Sequence, residues 1–103
     1  MLTYRRTWLI KPGKMEEAKE HLVAWVTRES ERAELKTGVC RIYVPDLSPN
    51  VLVYEESWET QDDREAFWGW LNAQPETTDN YAKWYELAER RVSAERWIVT
   101  EIR

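Results

Sequence analysis

The sequence predicts an α+β domain, in which one antiparallel sheet of four strands is covered on one face by helices in the order βαββαβ. Three observations carry this expectation. Stretches whose apolar residues recur every second position alternate with stretches where they recur every third or fourth. Pro, Gly, Asp and Asn punctuate the boundaries between them. At 103 residues the chain has the length of a single domain, residues 1–103, with no internal linker, repeat or low-complexity segment.

Thr3 to Lys11, TYRRTWLIK, alternates Tyr4, Arg6, Trp8 and Ile10 with Thr3, Arg5, Thr7 and Leu9, the period of a strand, and Pro12-Gly13 stops it. From Met15 the spacing becomes helical. Met15, Ala18, Leu22, Trp25, Val26 and Ala33 form one apolar stripe, with Glu16 and Glu17 favourably placed in the first turn. This helix is expected to close near Thr37-Gly38, with the glycine left-handed. VCRIYV, residues 39–44, is rich in β-branched and aromatic residues and predicts a second strand, and PDLSPN makes the hairpin loop into a third, VLVYEESWE. Thr60 followed three residues later by Asp63 has the spacing of a capping box, so a second helix starts there and runs to about Gln74, before Pro75. PETTDN reads as a connector, and Tyr81 to Arg91 as helix again, with Tyr81, Trp84, Tyr85 and Ala88 on one face. AERWIVTEI is the last strand. The resulting order is the ferredoxin-like split arrangement.

Charge and apolar patterning narrow the partners. With 15 Lys and Arg against 19 Asp and Glu, the net charge is −4, and no run of one sign offers a footprint for nucleic acid. No apolar run approaches the ~18 residues of a membrane span. A single Cys40 cannot close an internal disulfide, and MLTYRRTWLIKPGK lacks the apolar region and cleavage site of a signal peptide, so a cytoplasmic location is expected. TWLI, VLVY and WIV are apolar at consecutive positions, unlike a sheet with one face in water. The second sheet face is therefore expected to pack on another copy, giving a homodimer. The alternative is that edge positions of a small sheet leave Val and Leu exposed.

Seven Trp, five Tyr and one Phe supply more ring area than so small a core calls for. Residues 67–87, FWGWLNAQPETTDNYAKWYEL, hold Phe67, Trp68, Trp70, Tyr81, Trp84 and Tyr85. Phe67, Trp70, Trp84 and Tyr85 are expected in the core, and Trp68, at the margin of its stripe, at a cavity mouth or partner surface. Tyr4, Arg6 and Trp8 share one face of the first strand; Leu52, Tyr54 and Trp58 share the corresponding face of the third. Tyr4, Arg6, Trp8, Tyr54, Glu56, Trp58 and Trp68 are thus the candidate ligand-binding set. An arginine among rings suits a flat, weakly acidic organic ligand. Arg6 either pairs with Glu55 or Glu56 or extends to the sheet edge. Glu29 interrupts the apolar stripe of the first helix and is expected beyond the covered part of the sheet. His21, the one imidazole, has no Cys or carboxylate at metal-ligand spacing. Neither His21 nor Cys40 forms a nucleophile–base pair, and three glycines make no phosphate loop.

The strand–KPGK–helix opening, VLVYEESWET running into an acidic helix start, and the length of about 100 residues resemble the dimeric α+β barrel superfamily. That superfamily includes antibiotic-biosynthesis-type monooxygenases and NIPSNAP-like proteins, and the resemblance spans essentially the whole chain. It implies two ferredoxin-like subunits joined sheet to sheet, each with a cavity between sheet and helices. Members commonly read Tyr-Glu-x-Trp on the third strand. Tyr54-Glu55-Glu56-Ser57-Trp58 has one residue more, which implies a β-bulge and leaves open which glutamate points inward. FWGWLN also resembles the haem-degrading branch, which ligates iron through a His of the second helical region and holds an Asn on the first strand and a Trp ending the third. Trp58 matches that Trp, but Arg6 stands where the Asn would be and residues 72–91 contain no His. No haem, and no other cofactor, is expected. The resemblance leaves two functions open: a homodimeric module binding a small apolar or aromatic organic molecule, or a cofactor-independent monooxygenase or isomerase acting on a small aromatic substrate. A purely structural dimer with a filled core is the third reading.

Overall fold

The computed structural model describes residues 1–103 as β1 (Leu2–Ile10), α1 (Met15–Arg32), β2 (Val39–Tyr43), β3 (Val51–Trp58), α2 (Gln61–Asn72), α3 (Thr77–Leu87) and β4 (Ala88–Ile98). The strands form one antiparallel sheet in the order β2-β3-β1-β4, the ferredoxin-like α+β arrangement. Gly13, with φ 77°, makes the left-handed turn between β1 and α1. Thr60 caps α2 as its spacing predicts, its hydroxyl accepting from the Asp63 amide at 3.1 Å.

Several features differ from the sequence reading. α1 ends at Arg32, not near Thr37-Gly38, and its cap Ala33 is extended rather than left-handed. Gly38 serves close approach instead: a Cβ there would lie 2.8 Å from the Ser57 carbonyl oxygen and 2.8 Å from the Trp58 ring. α3 begins at Thr77 inside the expected connector, because the Thr77 hydroxyl donates to the Leu71 carbonyl at 2.5 Å and joins its first turn to the end of α2. The helix stops at Leu87, since AERR, helical by propensity, is taken into β4 by pairing with β1. Finally, β3 has no bulge. It pairs with β1 without a break from Leu2 opposite Trp58 to Leu9 opposite Val51.

Uninterrupted alternation therefore puts Leu52, Tyr54, Glu56 and Trp58 on the helix side of β3, beside Trp8, Arg6 and Tyr4 of β1. The core lies there. Trp8, Ile10, Leu22, Trp25, Leu52, Trp58, Phe67, Leu71, Trp84 and Leu87 are buried in one cluster. Its rings meet edge on, Trp8 with Trp84 at 5.3 Å and Trp25 with Tyr81 at 5.0 Å between centroids. Trp70 is half-buried, and Tyr85, expected in the core, is 56% exposed. Its neighbours Trp84 and Leu87 take the buried positions of α3, at 3% and 2% exposure. The molecule is a slab of 39 × 36 × 19 Å, thin because only one sheet face is covered. No helix is long and apolar enough to cross a membrane.

Candidate functional site

Sheet and helices do not close on each other completely. Between them lies a cavity of about 300 Å³, walled by Trp8, Trp25, Trp58, Phe67 and Trp84, with Arg6, Tyr54, Glu56, Trp68, Tyr81 and Tyr85 among its other lining residues. Of the candidate set, Arg6, Trp8, Tyr54, Glu56, Trp58 and Trp68 line this space. Tyr4 shares their face but stands apart: its hydroxyl donates to Gln61 and its ring carries the Arg64 guanidinium at 3.6 Å. Trp70 lies outside the cavity too, against Phe67 at 6.0 Å and under Arg32 at 5.8 Å.

Strand parity separates the two adjacent glutamates. Glu55 faces away from the helices and is held by Arg5 at 2.6 Å. Glu56 faces inward, 2% exposed, and accepts from Arg64 Nε at 2.7 Å and the Trp68 indole N–H at 3.1 Å. Each glutamate thus has its own arginine, and neither pairs with Arg6. Arg6 is half-buried and forms no salt bridge or side-chain hydrogen bond; its guanidinium carbon lies 5.5 Å from the centre of the Trp68 ring. Its charge is left free within an aromatic wall.

The Tyr54 hydroxyl lies 3.3 Å from Cys40 Sγ and 3.4 Å from Glu56 Oε2. Burial, with help from the neighbouring thiol and carboxylate, pushes the Tyr54 phenol well above its ordinary range. Burial also raises the Cys40 thiol, which keeps it protonated and unreactive at neutral pH. The cavity thus presents the unpaired Arg6, ring faces, neutral hydroxyl and thiol groups, and the carboxylates of Glu29 and Glu56, which are already paired with other arginines. It can hold a flat anion, but it displays no activated nucleophile.

Glu29 does not lie beyond the covered sheet. It is 1% exposed on the cavity wall, and Arg28 and Arg32 reach in from solvent to bond it at 2.9 and 3.1 Å. Its position in the apolar stripe was the signal of that burial. His21 is not among the lining residues; its Nε2 is 3.0 Å from the Asn80 carbonyl and its ring lies between Trp25 and Trp84.

A ferredoxin-like α+β domain with one aromatic cavity under its sheet is the class that this geometry defines. Among solved structures it is similar to an uncharacterised NIPSNAP domain protein from Burkholderia xenovorans, with a TM-score of 0.76 and 18% identity over 99% of this chain and 97% of that one. SnoaB from Streptomyces nogalater, a cofactor-independent oxygenase, matches with a TM-score of 0.71 and 14% identity over 97% and 93%. A protein from Chloroflexus aurantiacus, provisionally assigned as an antibiotic biosynthesis monooxygenase, matches at 0.70 and 12% identity over 97% and 93%. At such identities the likeness is one of fold. No protein-family model matches the sequence, and no curated protein is a significant match to it.

Proposed function

We propose that this chain is a cytoplasmic homodimer whose subunit cavity binds a small, flat organic acid, ring against ring and anion against Arg6. The observation that carries this reading is the free Arg6 charge. A half-buried guanidinium beside Trp68, with both neighbouring glutamates taken by other arginines, lacks the counter-charge that buried ions need. A carboxylate or phenolate supplies it with charge-assisted hydrogen bonds, while Trp8, Trp58 and Trp68 give apolar contact. Titrating benzoate should quench tryptophan fluorescence in a saturable manner, and Arg6→Gln should weaken that binding by about 1.5–3 kcal/mol, the worth of a hydrogen bond to a charged group. Absence of saturable binding to the parent protein overturns the reading.

The likeness to a cofactor-independent oxygenase supports a second function on the same cavity. Arg6 would then stabilise an electron-rich phenolate while dioxygen reacts with the ring. Oxygen uptake by the purified protein with a hydroquinone, dependent on Arg6, is the outcome that favours this reading over simple binding.

A further inference from the structure

Arg6 is not the only cavity arginine without a counter-charge. Arg91 also lines the cavity and forms no salt bridge, and it faces inward because β4 is irregular. Along β4 the even-numbered Arg96 and Ala94 stand opposite Tyr4 and Arg6, on the helix side of the sheet. Simple alternation would next bring Val92 to that side and send Arg91 to the open face. Instead the register slips between Thr7 and Trp8: Ser93 pairs with Thr7, Arg91 pairs with Trp8, and Val92 is the extra residue. A second slip, between Leu9 and Ile10, restores the parity and returns Ala88 to the core. The two slips together reverse the faces of Arg91 and Arg90 alone within this strand.

The result is a pair of arginines on adjacent strands, diagonal neighbours on one face, a relation that sets Cβ atoms about 7–8 Å apart or somewhat less. Both border one cavity and neither forms a salt bridge; Glu55 and Glu56, the β3 carboxylates beside Arg6, are engaged by Arg5 and Arg64. Two like charges side by side repel, and two planar donor forks are suited to carboxylate oxygens. We infer that Arg91 is a second ligand-binding residue and that the ligand carries two anionic groups on one flat frame, an aromatic dicarboxylate or a carboxylate with an enolate or phenolate. The inference rests on the cavity reading above and names its ligand class.

Calorimetric titration of benzoate and isophthalate into the parent, Arg6→Gln and Arg91→Gln proteins tests it. Arg91 is exposed, so its replacement should leave the fold intact, which circular dichroism would verify. Isophthalate should bind the parent at least about tenfold more tightly than benzoate, the step that one further charged hydrogen bond brings. Arg91→Gln should abolish that preference while changing benzoate binding less than about twofold, and Arg6→Gln should weaken both ligands. If benzoate binds through Arg6 but isophthalate binds no better, or if Arg91→Gln weakens both acids equally, the two-anion inference fails and the cavity reading stands. If neither acid binds the parent, both fail.

Discussion

Glu55 and Glu56 are neighbours in the chain and opposites in the fold, one bonded to Arg5 on the open sheet face and the other to Arg64 under the helices. Plain alternation along β3 was enough to separate them, and the bulge inferred from the longer Tyr-to-Trp spacing obscured a reading that the period already contained. The partner of Arg6 could not be read in the same way, because a strand pattern fixes a face but not which of several arginines reaches a carboxylate first. Arg64 approaches Glu56 from α2, an element whose placement over β3 is a tertiary matter. The rings divide by the same rule. Trp84 is 3% exposed with Trp8 and His21 against it, so Trp84→Ala should cost about 3–5 kcal/mol in urea unfolding. Trp68 is half-buried at the cavity, and Trp68→Ala should cost less, roughly 1–2 kcal/mol, through lost packing and the hydrogen bond to Glu56. Equal large losses at both positions would mean that the cavity wall is as tightly filled as the core.

Element identity was legible wherever the period was long and unbroken, as in β1, α1 and β3, and boundaries were lost where tertiary contact overrode local preference. The end of α1 is one case. Gly38 looked like a left-handed helix stop, yet it works six residues beyond the last helical residue, Arg32, where β2 begins against β3. There the added methyl of alanine would press on a main-chain oxygen and on the buried Trp58 ring, neither of which can swing away. Gly38→Ala should therefore destabilise the domain by about 1–3 kcal/mol, the usual cost of overpacking. A midpoint of denaturation unchanged from the parent would show that β2 shifts freely. The α3–β4 junction is the other case. Glu89, Arg90 and Arg91 favour helix by propensity, but pairing with β1 supplies hydrogen bonds along the strand and makes the slips that no sequence pattern announces.

At the scale of the whole molecule, a slab 19 Å thick with helices on one side leaves the other side of its sheet in water. Val39, Tyr43 and Trp97 stand on that side by register, at 45–56% exposure, around the Arg5–Glu55 pair at its centre. Arg41 stands opposite Glu55 and Glu95 opposite Arg5 on the same face, so these apolar residues flank a row of charges alternating in sign, which a second copy can cover by matching its own charges to opposite ones. Light scattering on a sizing column should accordingly give about twice 12.4 kDa. Val53, opposite Thr7 on the same open face, is the residue to probe, whereas Val99, first expected within β4, lies just past its end at Ile98. Val53→Lys would bring two like charges into a two-fold contact and should raise the dissociation constant at least about tenfold, since like-charge juxtaposition costs several kcal/mol. Because the cavity lies on the opposite, helix-covered side of the sheet, the monomer released by this substitution should still bind benzoate through Arg6. A parent protein that is monomeric at micromolar concentration would mean that the open face is simply a solvated sheet, with its valines and Trp97 tolerated singly.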